Sequence, residues 1–79
     1  MTGVPRKIIR EALQLEASIQ LAFTKEVLEC AARNHVDISK KEAVILGEKM
    51  RNRLRTETPD DYVQFIARVE REFYEQPKV

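Results

Sequence analysis

Apolar residues recur along this chain at helical rather than alternating intervals. Ile8, Ala12, Leu15, Ile19, Phe23 and Val27 are separated by three or four positions, which places them on one stripe over about five turns of α-helix. Ala17, Leu21, Leu28 and Ala32 add a second apolar edge. Pro5 suits the first position of a helix, so the pattern predicts one long helix over about residues 5–34 after a short lead-in at residues 1–4. Thr24, with Phe23 before it and Leu28 after it, could instead cap a separate helix and make a fourth element. The unbroken helix is preferred, because neither Gly nor Pro occurs between Leu15 and Phe23.

A connection is predicted at Asn34–Asp37, with Asn34 suited to a left-handed helix end. A second helix, over about residues 40–55, then has a marked start. Ser39 followed by Glu42 is a capping box, and Ile38 and Ala43 can form a weak staple across it. Ala43, Leu46, Gly47, Met50 and Leu54 share its core stripe, whereas Val44 and Ile45 lie off that stripe on opposite sides. One core covers one of these two readily and both with difficulty. The third helix, over about residues 59–74, has Thr58 as cap, Pro59 at its first position, and Asp60 and Asp61 where the dipole favours negative charge. It carries Tyr62, Phe65, Ile66, Val69 and Phe73 on one stripe. Residues 76–79 are expected to fray.

The chain therefore reads as all-α: a single domain of 79 residues built as a small up-and-down three-helix bundle. Two glycines and three prolines are too few for the turns of a many-stranded fold. The formal net charge of +1 excludes a strongly basic coat or an acidic disordered tail. Its distribution is uneven: residues 1–55 hold eleven Lys or Arg against seven acids, and residues 56–79 three against six. No apolar run exceeds four residues and no leader pattern opens the chain, so a cytoplasmic, reducing compartment is expected, with no membrane contact.

Candidate chemistry is sparse. Cys30 is the one cysteine and His35 the one histidine. Their five-residue spacing turns them apart on a helix, so they make neither a nucleophile–base pair nor a metal site. Cys30 is expected to be packed inside, and His35 to sit on the surface of a turn. Asp60 and Asp61 are what a well-capped helix start requires. The sequence has no phosphate loop, catalytic triad or calcium-loop spacing, so neither an enzyme nor a cofactor or small-molecule substrate is expected.

What remains is surface. Val44 and Ile45, with Glu48 and Arg51 beside them, make a candidate partner or dimer face. The function expected is that of a regulator, adaptor or assembly subunit, acting as a homodimer or in a complex with another protein. The alternative is nucleic-acid binding. Arg6, Lys7 and Arg10 stand at the head of the first helix, and Lys40, Lys41, Arg51 and Arg55 share a sector of the second. Val27–Leu54 also has the element order of a helix-turn-helix, but its turn lacks the usual glycine. Glu48 lies within the basic sector, where it can pair with Arg51 and dilute the field.

Overall fold

The structure, a computed structural model, describes residues 3–76. The lead-in at Met1 and Thr2 and the expected fraying at Pro77–Val79 lie outside these. Among the described residues the elements are α1 (Arg6–Arg33), α2 (Lys40–Glu57) and α3 (Pro59–Glu75), each touching the other two, which makes a small three-helix bundle.

α1 is continuous through Thr24. That residue is buried, and its hydroxyl donates to the Gln20 carbonyl one turn back at 3.0 Å, so it satisfies itself inside the helix instead of starting a new one. The helix ends in a Schellman turn: Val36 N–H donates to Ala31 O at 2.8 Å and His35 N–H to Ala32 O at 3.2 Å. His35 takes the left-handed conformation (φ 56°) that the sequence assigned to Asn34. Asn34 instead turns its amide back, donating to Cys30 O at 2.8 Å.

At the start of α2, Ser39 Oγ accepts from Glu42 N–H at 3.1 Å, as the capping box requires. The return half differs, since Glu42 Oε1 accepts from the Ser39 hydroxyl and not from its backbone. Thr58 alone separates α2 from α3. Pro59 cannot donate and disfavours a helical residue before it, so Thr58 leaves the helix (φ −135°, ψ 68°) and the chain bends. The Thr58 hydroxyl does not cap α3 as expected. It donates back to Leu54 O at 3.2 Å, closing the end of α2.

Phe23 is the centre of the core at 1% exposure, packed at a tilt against Phe65 with ring centroids 4.3 Å apart and joined by Ile19 and Val69. Leu15, Met50, Leu54, Tyr62 and Ile66 pack around it half-buried. Gly47 lies where α2 meets α1. A Cβ there would stand 3.1 Å from Thr24 N and 3.3 Å from Phe23 C, so the missing side chain lets the two backbones approach.

This core is small for the chain. Among the described residues five apolar ones are buried, and the Cα radius of gyration is 14.9 Å, against roughly 12 Å for a compact domain of this length. The accessible surface of 6810 Å² exceeds by about 1,900 Å² what a compact 9.2 kDa monomer exposes. Several expectations fail for this reason. Ile8 and Ala12 lie on the predicted stripe but are exposed, as is Leu46 at 42%. Leu21 and Ala32 of the second edge are exposed too.

Candidate interaction surface

The off-stripe residues of α2 line a groove against α1. Thr24 and Phe23 contribute from α1 where Gly47 brings the helices together, and Ala17, Gln20 and Leu21 form the α1 wall. Val44, Ile45 and Glu48 form the α2 wall, with Lys40 and Lys41 at one end and Arg51 at the other, enclosing about 560 Å³. The sequence pattern sets Val44 and Ile45 on opposite sides of the core stripe, whereas the structure puts both on this one wall, since neighbouring residues stand only about 100° apart on a helix. Lys41, Val44, Ile45 and Glu48 follow at helical steps on α2, as do Ala17, Leu21 and Thr24 on α1. Both Val44 (46%) and Ile45 (53%) are exposed, one more than a single covered core was expected to leave.

Arg51 is not a rim charge. Its guanidinium makes a two-pronged salt bridge with Glu16 of α1, including an Nη2 to Oε2 bond of 3.2 Å, and its Nε donates to Tyr62 Oη of α3 at 3.2 Å. One side chain thus links all three helices. The Arg51 guanidinium holds the Glu16 carboxyl below the usual carboxylate range, and Glu16 and Tyr62 in turn raise Arg51 above its ordinary value. The expected pairing with Glu48 gives way to this bridge. Sequence reasoning missed the link, though a signal was present: Glu16 interrupts the apolar stripe of α1 one turn from Ala12 and Ile19, and a carboxylate there needs a cation.

The other cations do not gather into one patch. Arg6, Lys7 and Arg10 are exposed on the first turns of α1, whereas Arg55 lies about 21 Å along α2 from Lys41 and donates to Asn52 Oδ1 at 3.0 Å. Cys30 is exposed, contrary to the expected packing. It lines a second apolar groove of about 890 Å³ with Val27, Ile38, Leu46, Met50 and Leu54, where Asn34 Nδ2 lies 3.6 Å from its sulfur. The space over α1's last turns is left open, so the small-residue edge that should have enclosed the thiol is uncovered.

Among the described residues no group of His, Cys, Asp and Glu is placed to hold a metal, and no helix is long and apolar enough to cross a membrane. Comparison of the chain with protein-family models, curated proteins and solved structures finds no match.

Proposed function

We propose that the protein is a non-enzymatic interaction subunit that works by presenting helix surfaces, and that its first partner is a second copy bound through the α1–α2 groove. One observation carries this: Leu21 on one wall and Val44 and Ile45 on the other, each about half exposed, line a single apolar groove whose ends are charged. An apolar centre with a polar rim is the anatomy of a protein interface. A two-fold contact uses each of these side chains twice, and burying one fully is worth about 1.5–3 kcal/mol. The surplus surface of the chain is well above the roughly 800 Å² per partner that a standard interface covers.

Nucleic-acid binding has less support. Arg51 is committed to Glu16 and Tyr62, Arg55 is bonded to Asn52, and the remaining cations stand on separate elements. The deciding experiment is the mass of the wild type and of Ile45→Glu by light scattering at micromolar concentration in about 0.5 M salt, where charge-dependent contacts are screened. A dimer that becomes a monomer with its helical content kept supports the groove. A variant that stays dimeric removes it.

A further inference from the structure

The opening turns of α1 form an amphipathic arm that nothing covers. Every residue from Arg6 to Gln14 is exposed, including Ile8, Ile9 and Leu13, the last at 66%. Ile8 and Ala12 continue, at steps of three and four, the stripe of Leu15, Ile19 and Phe23 that α2 and α3 cover farther along. The apolar face of the arm therefore looks toward the same side as the bundle and forms a step with it. Arg6 and Arg10 border the Ile9–Leu13 edge, with Lys7 behind them. As a helix start the arm is poorly supported: it has no side-chain cap and no acid in its first turn, and its cations sit at the positive end of the dipole. A partner that is both apolar and acidic would correct each deficit.

A flank of α3 beside its core stripe, on which Glu70 is half-buried, has that chemistry. Asp60, Val63, Ala67, Glu70 and Tyr74 follow at steps of three, four, three and four, so they lie on one line. Val63 and Tyr74 are both 64% exposed, and neither Asp60 nor Glu70 has an ion-pair partner among the described residues. α3 holds five acids against two arginines, with Asp60 and Glu70 on this line and Arg71 beside it, whereas Val4–Leu13 holds three cations against one acid. Both α1–α2 grooves instead carry more cations than acids, Lys40, Lys41 and Arg51 against Glu48 in one and Lys49 and Arg53 against Glu57 in the other, and suit a cationic arm less well.

We propose that the α1 arm of one copy packs along the Asp60–Tyr74 face of α3 in a second copy. This contact extends the self-association proposed above and gives it a second, charge-dependent surface. The surplus of about 1,900 Å² per chain leaves area for it beyond one standard interface. A flat anionic bilayer is a poorer occupant, because the bundle projects from the side to which the apolar face of the arm is turned.

Sedimentation velocity on the full chain separates the two contacts. The groove contact is apolar and survives salt, whereas the arm contact weakens as salt shortens the reach of its charges. In Ile45→Glu, association persists at low salt, about 20 mM, and is lost near 0.5 M. Adding Arg6→Glu, Lys7→Glu and Arg10→Glu abolishes the low-salt association, although these acids improve the start of α1. Placing Asp60→Lys and Glu70→Lys in that same chain restores it. Glu70→Lys alone, which leaves the α3 start untouched, restores part, with circular dichroism verifying the fold of each. Low-salt association that survives the arm reversal overturns the proposal, as does loss that neither α3 change restores. Binding of a monomeric wild type to phosphatidylserine vesicles at low salt does the same in favour of a lipid. If instead the groove fails and the arm holds, the wild type is monomeric at high salt and associated at low salt.

Discussion

The two halves of α1 carry the same apolar spacing and meet different fates. From Leu15 to Val27 the stripe is covered by α2 and α3 and holds the centre of the core, whereas from Arg6 to Gln14 every position is exposed. Length decides this. The 28 residues of α1 span about 42 Å, against about 27 Å for the 18 of α2 and 26 Å for the 17 of α3, so no neighbour reaches its first turns. Periodicity states which way a face points; coverage depends on what lies opposite.

Truncation tests the contrast most strongly. Phe23→Ala should cost about 3–5 kcal/mol, a large share of the roughly 4–12 kcal/mol available to a chain of this length. Ile8→Ala, on the same stripe, should change monomer stability by less than about 0.5 kcal/mol. Urea unfolding at concentrations below self-association measures both, and equal losses would erase the distinction between the halves.

Gly47→Ala should come next, destabilising by about 1–3 kcal/mol despite the better helix propensity of alanine. The atoms its Cβ meets are backbone atoms of α1, which cannot swing aside as a side chain would. A thermal melt that rises instead would mean that the helices separate without cost.

A smaller effect than that of Gly47 should come from Glu16, at the boundary between the halves. Arg51 holds its folded pKa below the unfolded value, so the bridge contributes above the ordinary carboxylate range near pH 4.3 and is lost as pH falls through the lower, folded value. Because the Glu16 side chain is 46% exposed, solvent screening limits this to at most about 1 kcal/mol. Glu16→Gln should accordingly lower Tm at pH 7 and lose less Tm than wild type on acidification to pH 3. An unchanged melt at pH 7 would show that the three-helix link adds nothing to stability.

Most of the architecture was legible in local signals. Ser39 and Glu42, Pro59 with its two following aspartates, and unbroken spacing through Thr24 located three helices to within two residues at each end. The candidate surface was legible in part, since Val44 and Ile45 were singled out because a single stripe could not contain both. Residues whose roles depend on distant partners were not. Arg51 looked like one of several surface cations until Glu16 and Tyr62, on two other helices, were brought to it. Cys30 and Leu46 lie on faces that would be interior in a tighter bundle, and the open groove between α1 and α2 exposes them. Thr58 carried the usual signature of a cap, yet with α2 ending one residue before it, its hydroxyl found the Leu54 carbonyl first.

The central claim is that the α1–α2 groove is covered by a second copy. Sedimentation equilibrium of the wild type at high salt, where any charge-dependent contact is silenced, tests it most directly. The predicted result is a mass about twice the 9.2 kDa of the chain at micromolar concentration, falling to that of the monomer in Ile45→Glu. A wild type that stays monomeric there at every practical concentration would contradict it.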